Sequence, residues 1–446
     1  MVNKAIENLF LTKAALSEKA FNIAKIICRK YKFKAVKGDN DKTEIYVYEN
    51  GIYAEKGLQI IEESTQKICE HLASKNVVNE VVATIVRQNY INRSELDFVN
   101  PDEICIENGI LNMRTKERRE HTSDEVFLTK IPIKYDKDAK CDVWLNFLNS
   151  SLCERDLDVA QEWFGYCLYK KNIEKKALIL LGPKDSGKTV FLNTFFKLFG
   201  DKNCSGTDLH DLMNDKFATE SLYKKYCNVS DELNSDDLRN VVKFKRLTGR
   251  TTMQGEPKFK SRFNFEPYVK LICGANKMPM LTKIEEPESY YDRWLVFVFD
   301  NVVSMKDGTM DKTLIDKIGT KGELSGMLNW ALDGLDRLLK NGEFSNLRDW
   351  RDNERIMGSN GKSLYSFFEN CVVKEEGAFQ DNGEFYDLYC EYCKLNDKSD
   401  ISSKDAFGKT VIHKILEKFS EKRYNGNGKN GYANITVNKE NFLRID

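Results

Sequence analysis

The sequence predicts an α/β protein: a parallel-sheet core, a mixed α+β segment ahead of it and a winged-helix-like ending behind it. Three observations predict this. An apolar run meets a glycine loop and then a helical pattern in LILLGPKDSGKTVFLNTFF (178–196). Short, buried-type strands recur at 226–230, at 268–275 and in the LVFVF after Trp294, with helical patterns between them. That alternation is what a parallel sheet requires. Finally, three helical patterns (363–373, 383–395 and 405–419) precede the Gly- and Asn-rich stretch 420–437, which lies between two strand-like pieces.

At 446 residues the chain has room for roughly two to four domains. Residues 1–130 read as an α+β N-terminal domain, 131–173 as a helical collar-like segment, 174–345 as the motor and 346–446 as the winged-helix-like domain. Within the first, 1–35 and 58–90 carry helical patterns. TEIYVYENGIYAEKG (43–57) alternates around Asn50-Gly51, a hairpin signal. ICIENGILNMRTKE (104–117) holds a second Asn-Gly step, and 143–170 is a helical stretch rich in Trp, Phe and Leu.

The formal net charge is zero, so a polyanion must be met by local patches. No apolar run reaches the length of a bilayer span, and the N-terminus mixes Lys and Glu into its apolar residues, unlike a secretion signal. Twelve scattered cysteines point to a reduced, cytoplasmic compartment. Cys390 and Cys393 form a close pair, but with only four histidines in the chain one helical face accounts for them better than zinc does.

Gly182, Pro183, Lys184, Asp185, Ser186, Gly187, Lys188 and Thr189 fit the pattern G-x-x-x-x-G-K-[ST] between a strand and a helix. Such a loop turns successive backbone N–H groups inward around phosphate oxygens, at the positive end of a helix. Lys188 is expected to reach the β- and γ-phosphates of ATP, and Thr189 to offer its hydroxyl to Mg²⁺. YCNVSDEL (226–233) supplies the acids: Asp231 for hydrated Mg²⁺ and Glu232 as the base that orients water. Asn276, ending the strand 268–275, is a candidate sensor of the γ-phosphate and also a natural turn former. Arg293 precedes the next strand; it can pair with Asp292 or reach a neighbouring subunit's nucleotide as an arginine finger.

Between these motifs, 239–270 holds nine Lys or Arg against two acids, a concentrated cationic patch suited to a phosphate backbone. Two strands turning near 260–262 would project Lys258, Lys260 and Arg262 from a hairpin. Alternation places those three cations on one face and Phe259 and Phe263 on the other.

The ordered series GPKDSGKT, SDEL, LTGRTTMQGEPKFKSRFNFEP, VKLICGAN and DRW resembles the superfamily-3 helicases of viruses, phages and plasmids, within the AAA+ class. The chain is similar above all to the helicase half of phage- and plasmid-type primase-helicases and to the poxvirus-type NTPase. IYVYENGIY, PDEICIENGILNMRT, IPIKYDKDAKCDVWLNFL and QEWFGYCLYKK are similar to the segment found beside that helicase. The resemblance implies a P-loop AAA+ core with a C-terminal winged helix. It also implies a homo-hexamer, single-stranded and forked DNA as partners, and 3′ to 5′ movement. It assigns Gly182, Gly187, Lys188 and Thr189 to the phosphate loop and Asp231 and Glu232 to the acidic motif. Asn276 falls on the sensor, Arg293 on the finger, and Lys258 and Lys260 on a pore-facing hairpin. One departure stands out: many relatives carry Gly-Asp where this chain has Gly249-Arg250. The helicase-adjacent segment begins within the first 50 residues, so a separate primase is the expected partner. The alternative reading is an origin-binding initiator, or a protein-remodelling NTPase without processive unwinding.

Overall fold

The computed structural model describes residues 8–442 apart from 9, 38–42, 99, 232, 234–240, 257–262, 277–286, 305–309, 360–362, 397–402, 406, 409–422 and 427–428. The chain begins with α1 (Leu16–Lys30), which buries Ala20, Ile23, Ala24 and Ile27 along one stripe. Strands β1 (Phe33–Lys37), β2 (Thr43–Glu49) and β3 (Ile52–Ala54) form an antiparallel sheet in that order. Glu49 faces Ile52 across the β2–β3 turn. Asn50 and Gly51 take φ 51° and 90° there, the two left-handed positions a two-residue hairpin of this hand demands. The helical reading of 1–35 therefore overran: 33–37 forms β1, with Phe33, Ala35 and Val36 buried. Residues 58–90 divide into α2 (Gly57–Cys69) and α3 (Lys75–Gln88). The break falls at Ser74, whose hydroxyl accepts from Val77 N and caps α3.

β4 (Glu103–Ile106) and β5 (Gly109–Asn112) make the second hairpin, with Ile106 opposite Gly109. Glu107 and Asn108 are thus the turn residues, one position earlier than the Asn-Gly step suggested. The helical stretch 143–170 is likewise two helices, α4 (Asp142–Ser151) and α5 (Glu154–Leu168), because Leu152 and Cys153 are extended.

Five parallel strands follow: β7 (Ala177–Leu181), β8 (Cys204–Ser205), β9 (Cys227–Ser230), β12 (Lys270–Ala275) and β13 (Trp294–Val298), with β6 (Arg118–Arg119) pairing earlier with β5. Their spatial order is β13-β7-β12-β9-β8. Every residue of β7 and β12 is buried, the pattern of parallel strands covered on both faces. Leu178 and Leu180 face one core, and Ala177, Ile179 and Leu181 face the other. Helix α6 (Lys188–Phe199) covers the first face with Phe191 and Phe195, and Trp144, Trp163 and Phe164 of α4 and α5 join that core.

Helix α8 (after a short α7, Val241–Leu247) spans Lys321–Asn341 and lies against α5. Two glycines let the backbones touch. A Cβ on Gly165 would fall 2.3 Å from Ala331 O, and one on Gly334 would fall 2.3 Å from Gln161 O. Beside this contact the buried Glu162 carboxylate takes Arg337 Nε at 2.7 Å and Ser345 N and Oγ at 2.8 and 2.6 Å.

The C-terminal region contains α9 (Ser363–Cys371), β14 (Val372–Asp381), α10 (Asn382–Leu395), β15 (Arg423–Gly426) and β16 (Lys429–Val437). The sheet order is β14-β16-β15, over a core that includes Phe367, Phe385, Tyr389, Tyr392 and Tyr432. The hairpin was expected; β14 was not. Its middle is exposed and charged, and its pairing with β16 is irregular between Lys374 and Phe379. Most of the helix expected at 405–419 lies outside the described residues. Cys390 and Cys393 sit one turn apart on α10. Among the described residues, no helix is long and apolar enough to cross a membrane.

Candidate functional site at the carboxyl ends of the parallel strands

β7 runs into the loop 182–187, and the loop runs into α6. Gly182 N donates to Ala275 O at 3.3 Å and Phe299 N to Leu181 O at 2.7 Å, so the loop's first residue is stitched between β12 and the segment after β13. Asp185 O accepts from Val303 N at 2.9 Å, and Ser186 Oγ donates to Pro183 O at 2.9 Å. Gly187 caps α6 at φ +98°, a conformation open to glycine and costly with a side chain. Pro183, Lys184 and Asp185 are exposed at the crest, as is Thr189 in the first turn of α6.

Lys188 folds back under this crest. Its ammonium donates to Gly182 O at 2.7 Å, Pro183 O at 2.6 Å and Ser186 Oγ at 3.4 Å. Burial pushes its pKa below the ordinary lysine value, with Asp185 opposing. A cation held by neutral acceptors at a helix N-terminus gains when an oxyanion arrives. The donor set therefore fits a phosphate group.

Two further strand ends open on the same edge. Leu181 is level with Ala275, and Ser230 is level with Cys273. Asn276, exposed, follows β12 directly beside the loop strand, and Asp231, exposed, follows β9 one strand further. The acid is thus two strands from the glycine loop, with the Asn276 strand between. Crevices at the carboxyl ends of parallel strands are where such sheets bind ligands. Thr189 and Asp231 are the oxygen donors here that could hold Mg²⁺. Glu232 lies outside the described residues.

Arg293 is elsewhere. It precedes β13, whose Trp294 is level with Ala177 at the start of β7. Five strand residues, on the order of 16 Å, separate it from the glycine loop of its own chain. Its guanidinium donates to Thr248 Oγ1 at 2.8 Å, to Ser289 O at 3.2 Å and to Lys245 O at 3.4 Å. Burial pushes its pKa down, with Asp292 opposing. The Asp292 carboxylate is instead bonded by the buried Lys176, at 3.1 Å. Neither Thr248 nor Lys176 carries a local sequence signal for these contacts.

The expected hairpin is present: β10 (Met253–Gly255) pairs with β11 (Phe263–Phe265), with Gly255 opposite Phe263. Lys258, Lys260 and Arg262, with Phe259, belong to the connection and lie outside the described residues. Phe263 packs on Tyr223, with ring centroids 4.7 Å apart, so this phenylalanine anchors the stem. At the departure from the family pattern, Gly249 O accepts from Asn172 Nδ2 at 3.2 Å, and the Arg250 guanidinium donates to Ile173 O.

Two family models match the chain. One, described as D5 N terminal like, matches residues 14–153. The other, a family of unknown function (DUF5906), matches 180–293, the stretch from the glycine loop through Arg293. No curated protein matches. Among solved structures, the apo structure of the NrS-1 C-terminal region (305–718) is 11% identical. The match covers 94% of this chain and 99% of that one, with a TM-score of 0.50. An A-form apo structure of the same region is 13% identical, covering 88% and 85% with a TM-score of 0.49. The chain thus has the fold of the NrS-1 C-terminal region, with a D5-N-terminal-like segment ahead of its parallel sheet.

Proposed function

We propose that this protein is an ATP-driven DNA helicase of the phage primase-helicase type, working as a homo-hexameric ring in replication of a mobile genome. The observation that carries the reading is the convergence of Lys188, Asn276 and Asp231 at three neighbouring strand ends. The D5-type segment and the shared fold support the replication context. In this reading 182–189 cradles the triphosphate and Lys188 turns from its loop carbonyls to the phosphates. Mg²⁺, held by Thr189 and Asp231, supplies charge neutralisation there. Glu232 orients water and Asn276 senses the γ-phosphate. Arg293, on the far edge of its own sheet, serves the site of the next subunit. Lys258, Lys260 and Arg262 grip single-stranded DNA, and the C-terminal region acts as a winged helix that aids loading.

The test is mass measurement with an ATP analogue and forked DNA, followed by unwinding of that fork. Lys188→Ala is expected to abolish hydrolysis and weaken nucleotide binding. Glu232→Gln is expected to bind ATP and hydrolyse it slowly. A monomer that hydrolyses ATP without displacing a strand would favour a remodelling NTPase instead.

A further inference from the structure

Arg293 is not free to take any rotamer. The Thr248 hydroxyl accepts from Arg293 Nη1 at 2.8 Å while donating to Phe244 O at 3.0 Å. Its one proton is therefore committed and its lone pair is turned toward the guanidinium. Thr248 is 4% exposed, which makes this a shielded, charge-assisted bond. Lys245 O adds a second contact from the same turn at 3.4 Å. Lys245 lies in the last turn of α7 and Thr248 directly follows it, while a further partner, Ser289 O at 3.2 Å, comes from outside α7; residues 249–252 carry the chain from Thr248 into β10 of the hairpin.

We propose that Thr248 is the positioning residue for Arg293, and that it couples the hairpin to the arginine within one subunit. A load on the hairpin displaces β10, β10 pulls on the end of α7, and Thr248 re-aims the guanidinium. Nucleic acid held by one subunit would then set hydrolysis in the subunit that this arginine serves. The inference rests on Arg293 acting in trans, and the experiment separates the two claims.

Turnover and KM for ATP are measured with and without a single-stranded oligonucleotide for Thr248→Val, Thr248→Ser and Arg293→Ala. Each is also mixed with Lys188→Ala subunits, with mixing confirmed. Thr248→Val, which keeps the shape and loses the hydroxyl, is expected to lower oligonucleotide-stimulated kcat about tenfold with KM within about twofold, and Thr248→Ser to restore it. Mixing with Lys188→Ala, which supplies an intact Thr248 and Arg293, is expected to recover turnover at the Thr248→Val site. Wild-type kcat in Thr248→Val beside an inactive Arg293→Ala overturns the coupling alone. Wild-type turnover in Arg293→Ala overturns both claims. Should Thr248→Val fail to assemble, hydrogen exchange on the wild-type protein decides. Oligonucleotide binding is expected to change exchange across 244–250 and 289–293, and unchanged exchange there overturns the coupling.

Discussion

The main-chain oxygen of Phe299 lies 2.2 Å from the point that a Cβ on Gly182 would occupy. The segment leaving β13 therefore runs against the first residue of the glycine loop at backbone distance, and Phe299 N bonds Leu181 O alongside.

Gly182→Ala should force these two backbones apart. Overpacking of this kind costs about 1–3 kcal/mol, and the displacement falls on the carbonyl that now holds Lys188. The expected outcome is a lowered Tm, together with loss of the Tm increase that the proposed function predicts for the wild-type protein with nucleotide. A variant that keeps the full nucleotide-induced shift would remove the loop from the binding site.

The α5–α8 contact depends on Glu162, whose side chain is fully buried against Arg337. Arg337→Ala leaves a buried carboxylate with only its Ser345 bonds. Removing one partner of a buried pair costs about 3–5 kcal/mol. Glu162→Gln in the Arg337→Ala background is expected to recover part of this, because the charge goes while the amide oxygen still accepts from Ser345 N. Urea denaturation of the single and double variants measures both effects; additive losses would show that the pair is not coupled.

The glycine loop was readable because strand, loop and helix are contiguous in sequence. Asp231 and Asn276 were readable because each directly follows a buried strand, and parallel strands deliver such residues to one edge. Arg293 was readable as an arginine, but its partners were not. Thr248 is 45 residues away and Lys176, which bonds the adjacent Asp292, lies 116 from it. Those pairings follow from the order in which strands assemble, which no local period encodes. β14 escaped notice for a different reason. Its exposed middle lacks alternation, and β16 supplies its partner only after some fifty intervening residues have folded.

Lys270 gives a pH test. It is fully enclosed at the start of β12, where its ammonium donates to Tyr169, Lys171 and Tyr268 carbonyls and sits 4.2 Å from the Tyr166 ring centroid. Burial pushes its pKa down to about 7, with the Cys167 and Cys227 thiols opposing. The unfolded chain keeps an ordinary lysine near 10.4. Between these values the unfolded state binds a proton that the folded state does not, so stability rises with pH. The gain is complete above the unfolded pKa and is lost as pH falls through about 7. Relative to Lys270→Met, the wild-type protein should gain stability with a slope of up to about 1.4 kcal/mol per pH unit across that window. Denaturation series at neutral and alkaline pH measure it. Parallel curves would mean that the three carbonyls keep the ammonium charged throughout.

The hairpin prediction concerns Lys258 and Lys260, in the connection between β10 and β11. The stem is pinned: Phe263 stacks edge-on to Tyr223, and Phe265 lies with its ring centroid 5.4 Å from the same tyrosine. Lys258 and Lys260 are the cations proposed to meet a phosphate backbone. Replacing both with alanine removes two phosphate contacts, which should lower the salt dependence of single-strand binding by roughly 1.4 units of log–log slope. Basal ATP hydrolysis should survive, because the substitutions touch neither the glycine loop nor Asp231. Stimulation by DNA should fall and fork unwinding should fail, because the hairpin would turn over without a load. A salt titration paired with an unwinding assay on the double variant tests all three. An unchanged slope with normal unwinding would place the DNA path elsewhere on the protein. A reduced slope with normal unwinding would leave these lysines as binding contacts that do not transmit force.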